Sequence, residues 1–200
     1  MKSLALELSS GQGSIAWLEA EETRFLAEFA NDRKHSGHFF ENLKRCLEQL
    51  GDPERIVVGL GPGSYAGTRI ALATAIGLHA ATGAELTGLP SFCALPTAEK
   101  EYVVVGDARR QSFWLAQVRA RRCVSGPTLR TAQELTERLA ENSSPVFSAE
   151  DLSAFPQVAI SHPSALVLAQ IAASESGELV RPPLEPIYLR EPHITRPKAA

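Results

Sequence analysis

Three observations predict an α/β fold made of two copies of one unit. Short apolar runs separated by turn residues alternate with longer stretches of helical spacing. The order three strands, helix, strand, helix occurs twice, over residues 1–97 and 102–175. The 200 residues, 44% of them hydrophobic, suffice to bury a core, either as one domain or as two small lobes. The division expected is a first lobe over residues 1–100 and a reduced second lobe over residues 101–200 ending in an extended, proline-rich tail.

Residues 4–9, 14–18 and 24–29 predict a three-stranded meander, with Ser10, Gly11, Gln12 and Gly13 as its first turn and residues 19–23 as its second. Phe39, Phe40, Leu43, Cys46, Leu47 and Leu50 then recur on one helical face, which Gly51 and Pro53 close. A strand at 56–60 leads through a glycine-rich turn into a helix at 66–82. Gly83 stops that helix, and residues 86–89 form one more short strand. Ala73, Gly77 and Ala81 recur at every fourth position of helix 66–82, leaving a flat ridge that another helix can approach closely. Ile70, Ala71, Ala75, Ile76, Leu78 and Ala80 make the helix apolar nearly all round, which predicts burial on two sides with helix 39–50 as a neighbour.

The second half repeats the pattern. Residues 102–107 and 112–118 read as strands around the turn 108–111, with a weaker strand at 123–129. Thr131 followed three residues later by Glu134 is a capping box opening a helix that reaches about residue 141. Residues 145–148 read as a strand, and Pro163 suits the first turn of a helix over 164–173. Pro182, Pro183, Pro186, Pro192 and Pro197 keep the tail extended around one apolar anchor, Ile187-Tyr188-Leu189.

A net charge of −3 and a pI near 6.0 provide no global basic field for a polyanion. Arg109 and Arg110, and Arg119 with Arg121 and Arg122, flank a strand and read as a solvated edge before an RNA contact. The N-terminal residues lack a signal-peptide pattern, and no run of about 18 uncharged apolar residues occurs, so the expected location is cytoplasmic, with no membrane role. Cys46, Cys93 and Cys123 are odd in number and far apart; they read as buried small apolar residues, with neither disulfides nor metal ligands expected.

The turn Gly61-Pro62-Gly63-Ser64-Tyr65-Ala66-Gly67-Thr68-Arg69 looks like a phosphate loop and fails as one. Thr68 and Arg69 follow Gly67 where a Walker loop needs Lys, and the third glycine of a dinucleotide fingerprint is missing. Ser64 lies in a turn suggestive of a nucleophile elbow, but Ala66 replaces that motif's last glycine, which argues against a protease. His35 and His38 have a metal-compatible spacing without further ligands nearby, His79 reads as a packed or interface residue, and His162 reads as a helix entry. Glu7 and Asp107 end the first strands of the two units. An acid pair so placed could hold magnesium through water across a cleft, while Asp107 in Asp-Ala-Arg equally suits a local turn.

The duplicated βββαβα order resembles the actin-like/Hsp70-like (ASKHA, ribonuclease H-like) fold, whose two lobes bind nucleotide between them. Within it, the segments Leu4-Ala-Leu-Glu-Leu-Ser-Ser, His35-Ser36, the glycine turn through Arg69, Val105-Gly106-Asp107-Ala108-Arg109 and Pro186-Ile187-Tyr188-Leu189-Arg190 resemble the TsaB (YeaZ) family. The likeness covers the first lobe well and both ends of the second, and is weak over residues 119–180. Glu7-Leu8-Ser9 replaces that family's Asp-Thr-Ser, and Tyr65-Ala66 replaces its Phe-Thr, so two hydroxyls that related ATPases keep near phosphate are gone. Gly88-Leu-Pro-Ser-Phe-Cys-Ala94 has no histidine where the catalytic paralogue TsaD carries its metal-binding pair.

The resemblance implies a non-catalytic scaffold subunit that binds and activates TsaD in the complex placing N6-threonylcarbamoyl on adenosine 37 of tRNA. A TsaE-type ATPase would assist, tRNA would be met only through the complex, and the chain alone would form a homodimer. The implied partner face comprises His35, Phe39, Leu43, Leu47, Ile70, Ala73, Gly77 and Ala81. Glu7, Ser9, Gly61, Gly63, Ser64, Asp107 and Arg109 would line a vestigial nucleotide cleft, with no cofactor or metal. The alternative is a small-molecule kinase or ATPase using an interlobe nucleotide site.

Overall fold

A computed structural model describes residues 1–31, 37–174 and 176–190. The first sheet has the order β3-β2-β1-β4-β5, formed by β1 (Lys2–Glu7), β2 (Gln12–Glu19), β3 (Glu22–Ala30), β4 (Arg55–Gly59) and β5 (Glu85–Leu89). Its first three strands are an antiparallel meander, while β4 and β5 join parallel to β1. The second sheet repeats this order in mirror listing, β10-β9-β6-β7-β8, with β6 (Glu101–Asp107), β7 (Ser112–Arg119), β8 (Arg122–Thr131), β9 (Val146–Ser148) and β10 (Ala159–Ile160). Four helices among the described residues complete the fold: α1 (Gly37–Leu50), α2 (Tyr65–Thr82), α3 (Ala132–Ala140) and α4 (Ala165–Ser174).

Strand alternation assigns the faces of the first sheet. Leu4, Leu6, Ile15, Trp17, Ile56 and Val58 point to the side covered by α1 and α2, and together they form the largest core. Their neighbours Ala5, Ala16, Leu18 and Val57 point the other way, against α4. Because both faces are covered, the centres of β1 (Leu4, Ala5, Leu6) and β4 (Ile56, Val57, Val58) are continuously apolar.

The position of α4 differs from what chain order predicts. As the last element of the second repeat it was expected on the second lobe, but it lies on the first sheet, across β1, β2 and β4. Small residues explain the fit: Ala165, Ala169 and Ala172 come close over Ala5 and Ala16. Polar anchors fix both ends, since the Ser14 hydroxyl accepts from the N–H of Ala165 at 2.8 Å and Arg55 Nη1 donates to the carbonyl of Ala172 at 2.8 Å. One face of the second sheet is filled by Leu135 and Leu139 of α3 with Val103, Val105 and Phe155. The other face is covered by the linker, where the 3-10 turn Ser91–Ala94 brings Phe92 and Cys93 onto Tyr102 and Trp114.

The tail is a strap over both sheets. Val180 pairs antiparallel with Gly88, Leu184 enters the first core, Ile187 donates to the carbonyl of Leu60 at 2.8 Å, and Leu189 packs on the core of the second sheet. Arg190 then reaches the Ser112 hydroxyl. Among the described residues no helix is long and apolar enough to cross a membrane.

Candidate partner face and interlobe cleft

The glycine turn between β4 and α2 is shaped by backbone packed on backbone. A side chain at Gly63 would collide with the carbonyl of Ser9, and one at Gly67 with the carbonyl of Leu8. The N–H of Ser64 donates to the Ser9 carbonyl at 2.6 Å, and the Ser64 hydroxyl caps α2 by accepting from the N–H of Gly67 at 3.2 Å. Gly61, with φ of 82°, exchanges bonds with Ser91: its N–H donates to the Ser91 hydroxyl and its carbonyl accepts from the Ser91 N–H, both at 2.9 Å. Leu8, which replaces the hydroxyl residue of the Asp-Thr-Ser pattern, is buried in the first core. The turn therefore closes down on the end of β1, and its glycines are accounted for without a bound phosphate.

Glu7 is sealed beneath this turn. Its carboxylate lies over Gly59, where any side chain would collide with it, and Oε1 accepts from the N–H of Ser9 at 2.6 Å. Oε2 accepts no hydrogen bond among the described residues, and burial pushes the carboxyl above the usual range, against the hydrogen bonding of Ser9 that lowers it. Asp107 is spent locally: its oxygens accept from the N–H of Arg109 at 2.6 Å and from Arg109 Nη1 at 2.8 Å, while its own N–H donates to Glu150. The two acids are thus each committed within their own lobe. Among the described residues no three His, Cys, Asp or Glu side chains gather as metal ligands. Burial raises the thiols of Cys46 and Cys93 to about 11 and about 12. Beyond the turn, a concavity of about 500 Å³ lies between Gly11, Gln12, Glu28, Phe29, Ala30 and His162.

The residues expected at a partner face divide into two layers. Phe39 and Leu43 are buried in the first core, a correction to their expected role as contacts: they hold α1 on the sheet from beneath. Leu47 and Ile70 are half-buried at its edge. Ala73, Gly77 and Ala81 are exposed, as are Ile76 and Ala80, and nothing lies within 4 Å of a side chain built at Gly77. Helix α2 is consequently buried on one side only, where Gly67, Thr68, Ala71, Leu72 and Ala75 meet the sheet. The sequence predicts burial on two sides with helix 39–50 as a neighbour; α1 and α2 both lie on this face of the sheet, but among the described residues the outer side of α2 stays exposed. His35 lies outside the described residues.

A family model described as TsaD, tRNA N6-adenosine threonylcarbamoyltransferase, matches residues 29–144, more than half of the chain. The chain belongs to this family. An uncharacterized protein of Mycobacterium tuberculosis (strain ATCC 25618 / H37Rv) is 32% identical over 168 residues, or 80% of this chain and 77% of the relative, and an uncharacterized protein of Mycobacterium bovis matches to the same extent. Two solved structures from Pseudomonas aeruginosa share the fold: YeaZ, with a TM-score of 0.72, and a protein described as similar to peptidase YEAZ, with 0.76. Each is 21% identical, and each alignment covers 94% of this chain and 99% of the other. The two-lobed, actin-like architecture expected from the sequence is therefore the one present, at YeaZ proportions. Within this TsaD-family chain the segment after β5 is a buried 3-10 turn in which Phe92 and Cys93 pack on the second sheet, Ala94 joins the core between the first sheet and α4, and Ser91 bonds Gly61.

Three features of the site have no local signal in the sequence. The bond from Ser91 to the glycine turn, the strap over Leu60, and the contact of Arg69 with Tyr188 all join residues far apart in the chain. Gly59 and Gly88 gave hints, because a glycine inside a buried strand marks a close approach, here to Glu7 and to Leu60.

Proposed function

We propose that this chain is a non-catalytic, TsaB-type partner subunit of the assembly that places threonylcarbamoyl on tRNA, and that it binds a TsaD-type transferase through the α1 and α2 side of its first lobe. One observation carries the reading: the outer face of α2 is exposed, apolar and nearly flat. Ile76 is 45% exposed, between Ala73, Gly77 and Ala80, and Phe40 of α1 is 50% exposed. An exposed apolar helix face of this kind, free of acidic residues, suits another protein as occupant. Small residues let a partner helix approach closely, and two helices per subunit suit a four-helix packing.

The non-catalytic part of the reading is supported by the glycine turn, whose space is taken by the backbone of residues 8 and 9, and by the absence of histidine from residues 88–94. In this reading a TsaE-type ATPase joins the full complex, tRNA is met through that complex, and the isolated chain pairs with itself through the same face. Co-expression with the TsaD of the same organism, followed by affinity capture and size-exclusion chromatography, tests it. A stoichiometric complex is expected, and two separately eluting proteins refute it.

A further inference from the structure

Arg69 stands on the exposed face of α2, four residues before Ala73 and eight before Gly77. Its guanidinium carbon lies 4.2 Å from the centroid of the Tyr65 ring and 5.7 Å from that of Tyr188, and Nε donates to the Tyr188 hydroxyl at 3.0 Å. The two rings are 6.1 Å apart, tilted by 43°, and remain 58% and 41% exposed. A side chain rich in rotamer freedom is thereby fixed in one place by two aromatic rings from distant parts of the chain. No described carboxylate lies within ion-pair distance of Arg69, and α2 itself contains no Asp or Glu. The arrangement costs order without satisfying the charge.

We infer that Tyr65, Arg69 and Tyr188 form a preorganised anchor for a carboxylate of the partner subunit, and that this anchor selects a partner bringing an Asp or Glu to the N-terminal end of α2. The inference rests on the reading of α2 as the partner face. Covering that face takes Arg69 out of water, and a guanidinium so covered needs a counter-charge. Its planar fork has five donors, of which Tyr188 takes one, so a bidentate carboxylate can still be held. Tyrosine and arginine at the edge of a small-residue ridge are also the residue types that concentrate binding energy in interfaces. Arg69 is the sole Lys or Arg on the 18-residue helix, whereas a nucleic-acid backbone is met by several cations in a row. A protein carboxylate is therefore favoured over a phosphate chain as occupant. Tyr188 comes from the strap, so the tail supplies part of the anchor.

The test compares full-length variants for affinity to the TsaD of the same organism, with circular dichroism melts confirming each fold. Arg69→Glu is expected to weaken association on the order of 100-fold, as when one member of a covered charge pair is reversed. Arg69→Lys, which keeps the charge and loses the planar fork, should fall between it and the parent, and Tyr188→Phe should lose severalfold. Gly77→Leu serves as the control for the face itself. If Gly77→Leu disrupts the complex while Arg69→Glu binds like the parent, the face stands and the anchor is refuted. Parent-like binding by both variants refutes the face and the anchor with it. Fluorescence anisotropy with unmodified tRNA supplies the last arm: binding by the chain alone that disappears in Arg69→Glu, with TsaD affinity unchanged, would mean that the anchor serves RNA and would overturn the inference.

Discussion

Glu7 shows how a residue legible in the sequence can carry a different meaning in the fold. As the last residue of β1 it occupies the position from which related enzymes aim an acid into a cleft, but the glycine turn and Gly59 enclose it completely. Its carboxyl titrates above the unfolded value near 4.5, so the folded state holds the extra proton. The stabilising contribution of the neutral acid is complete below that unfolded value and is lost as pH rises through the folded one. Melts between pH 5 and pH 8 should show the parent losing stability with rising pH and Glu7→Gln losing less; parallel curves would contradict this. Two glycines on α2 make a matched pair of a different kind. Gly67→Ala drives a methyl into the Leu8 carbonyl and should destabilise by about 1–3 kcal/mol. Gly77→Ala meets open space within a helix and should stabilise the isolated chain by about 0.5–1 kcal/mol in urea unfolding. In sequence both are glycines of one apolar helix, because what separates them is the backbone of Leu8, just past the end of β1 and far away in the chain.

Elements whose signals are local were readable from sequence. The Thr131 and Glu134 capping box opens α3 as the spacing predicts, with the Thr131 N–H donating to Glu134 at 2.7 Å, and Gly83 closes α2 with φ of 73°. The meander and both parallel strands of the first sheet also follow from period and turn chemistry. The docking of α4 did not, since its uniform apolar sequence fits either lobe and its choice is made by Ser14 and Arg55 on the other one. Arg55 is 7% exposed, bonded through Nε to Glu85 at 3.0 Å and through Nη1 to the C-terminal turn of α4. Because Glu85 is 41% exposed and regains water on its own, the loss in Arg55→Ala is mainly the covered carbonyl and the emptied volume. We expect about 2–3 kcal/mol in chemical denaturation. A loss within about 0.5 kcal/mol would mean that α4 is held by apolar packing alone.

At the scale of the whole molecule, the chain has kept a two-lobed frame while turning its features inward. The glycine turn leans on β1, the linker after β5 covers the second sheet in place of a helix, and the strap ties Gly88 and Leu60 to Ser112. The small-residue face of α2, with the Arg69 cluster at its N-terminal end, is turned outward. The central claim is that this face binds a TsaD-type partner, and sedimentation velocity of Gly77→Leu with and without that partner tests it most directly. Within the single chain the added side chain enters open space, so the variant should still melt as a cooperatively folded protein, and it should weaken association by about 2–4 kcal/mol. A well-folded Gly77→Leu chain that sediments in complex with TsaD like the parent would contradict the account.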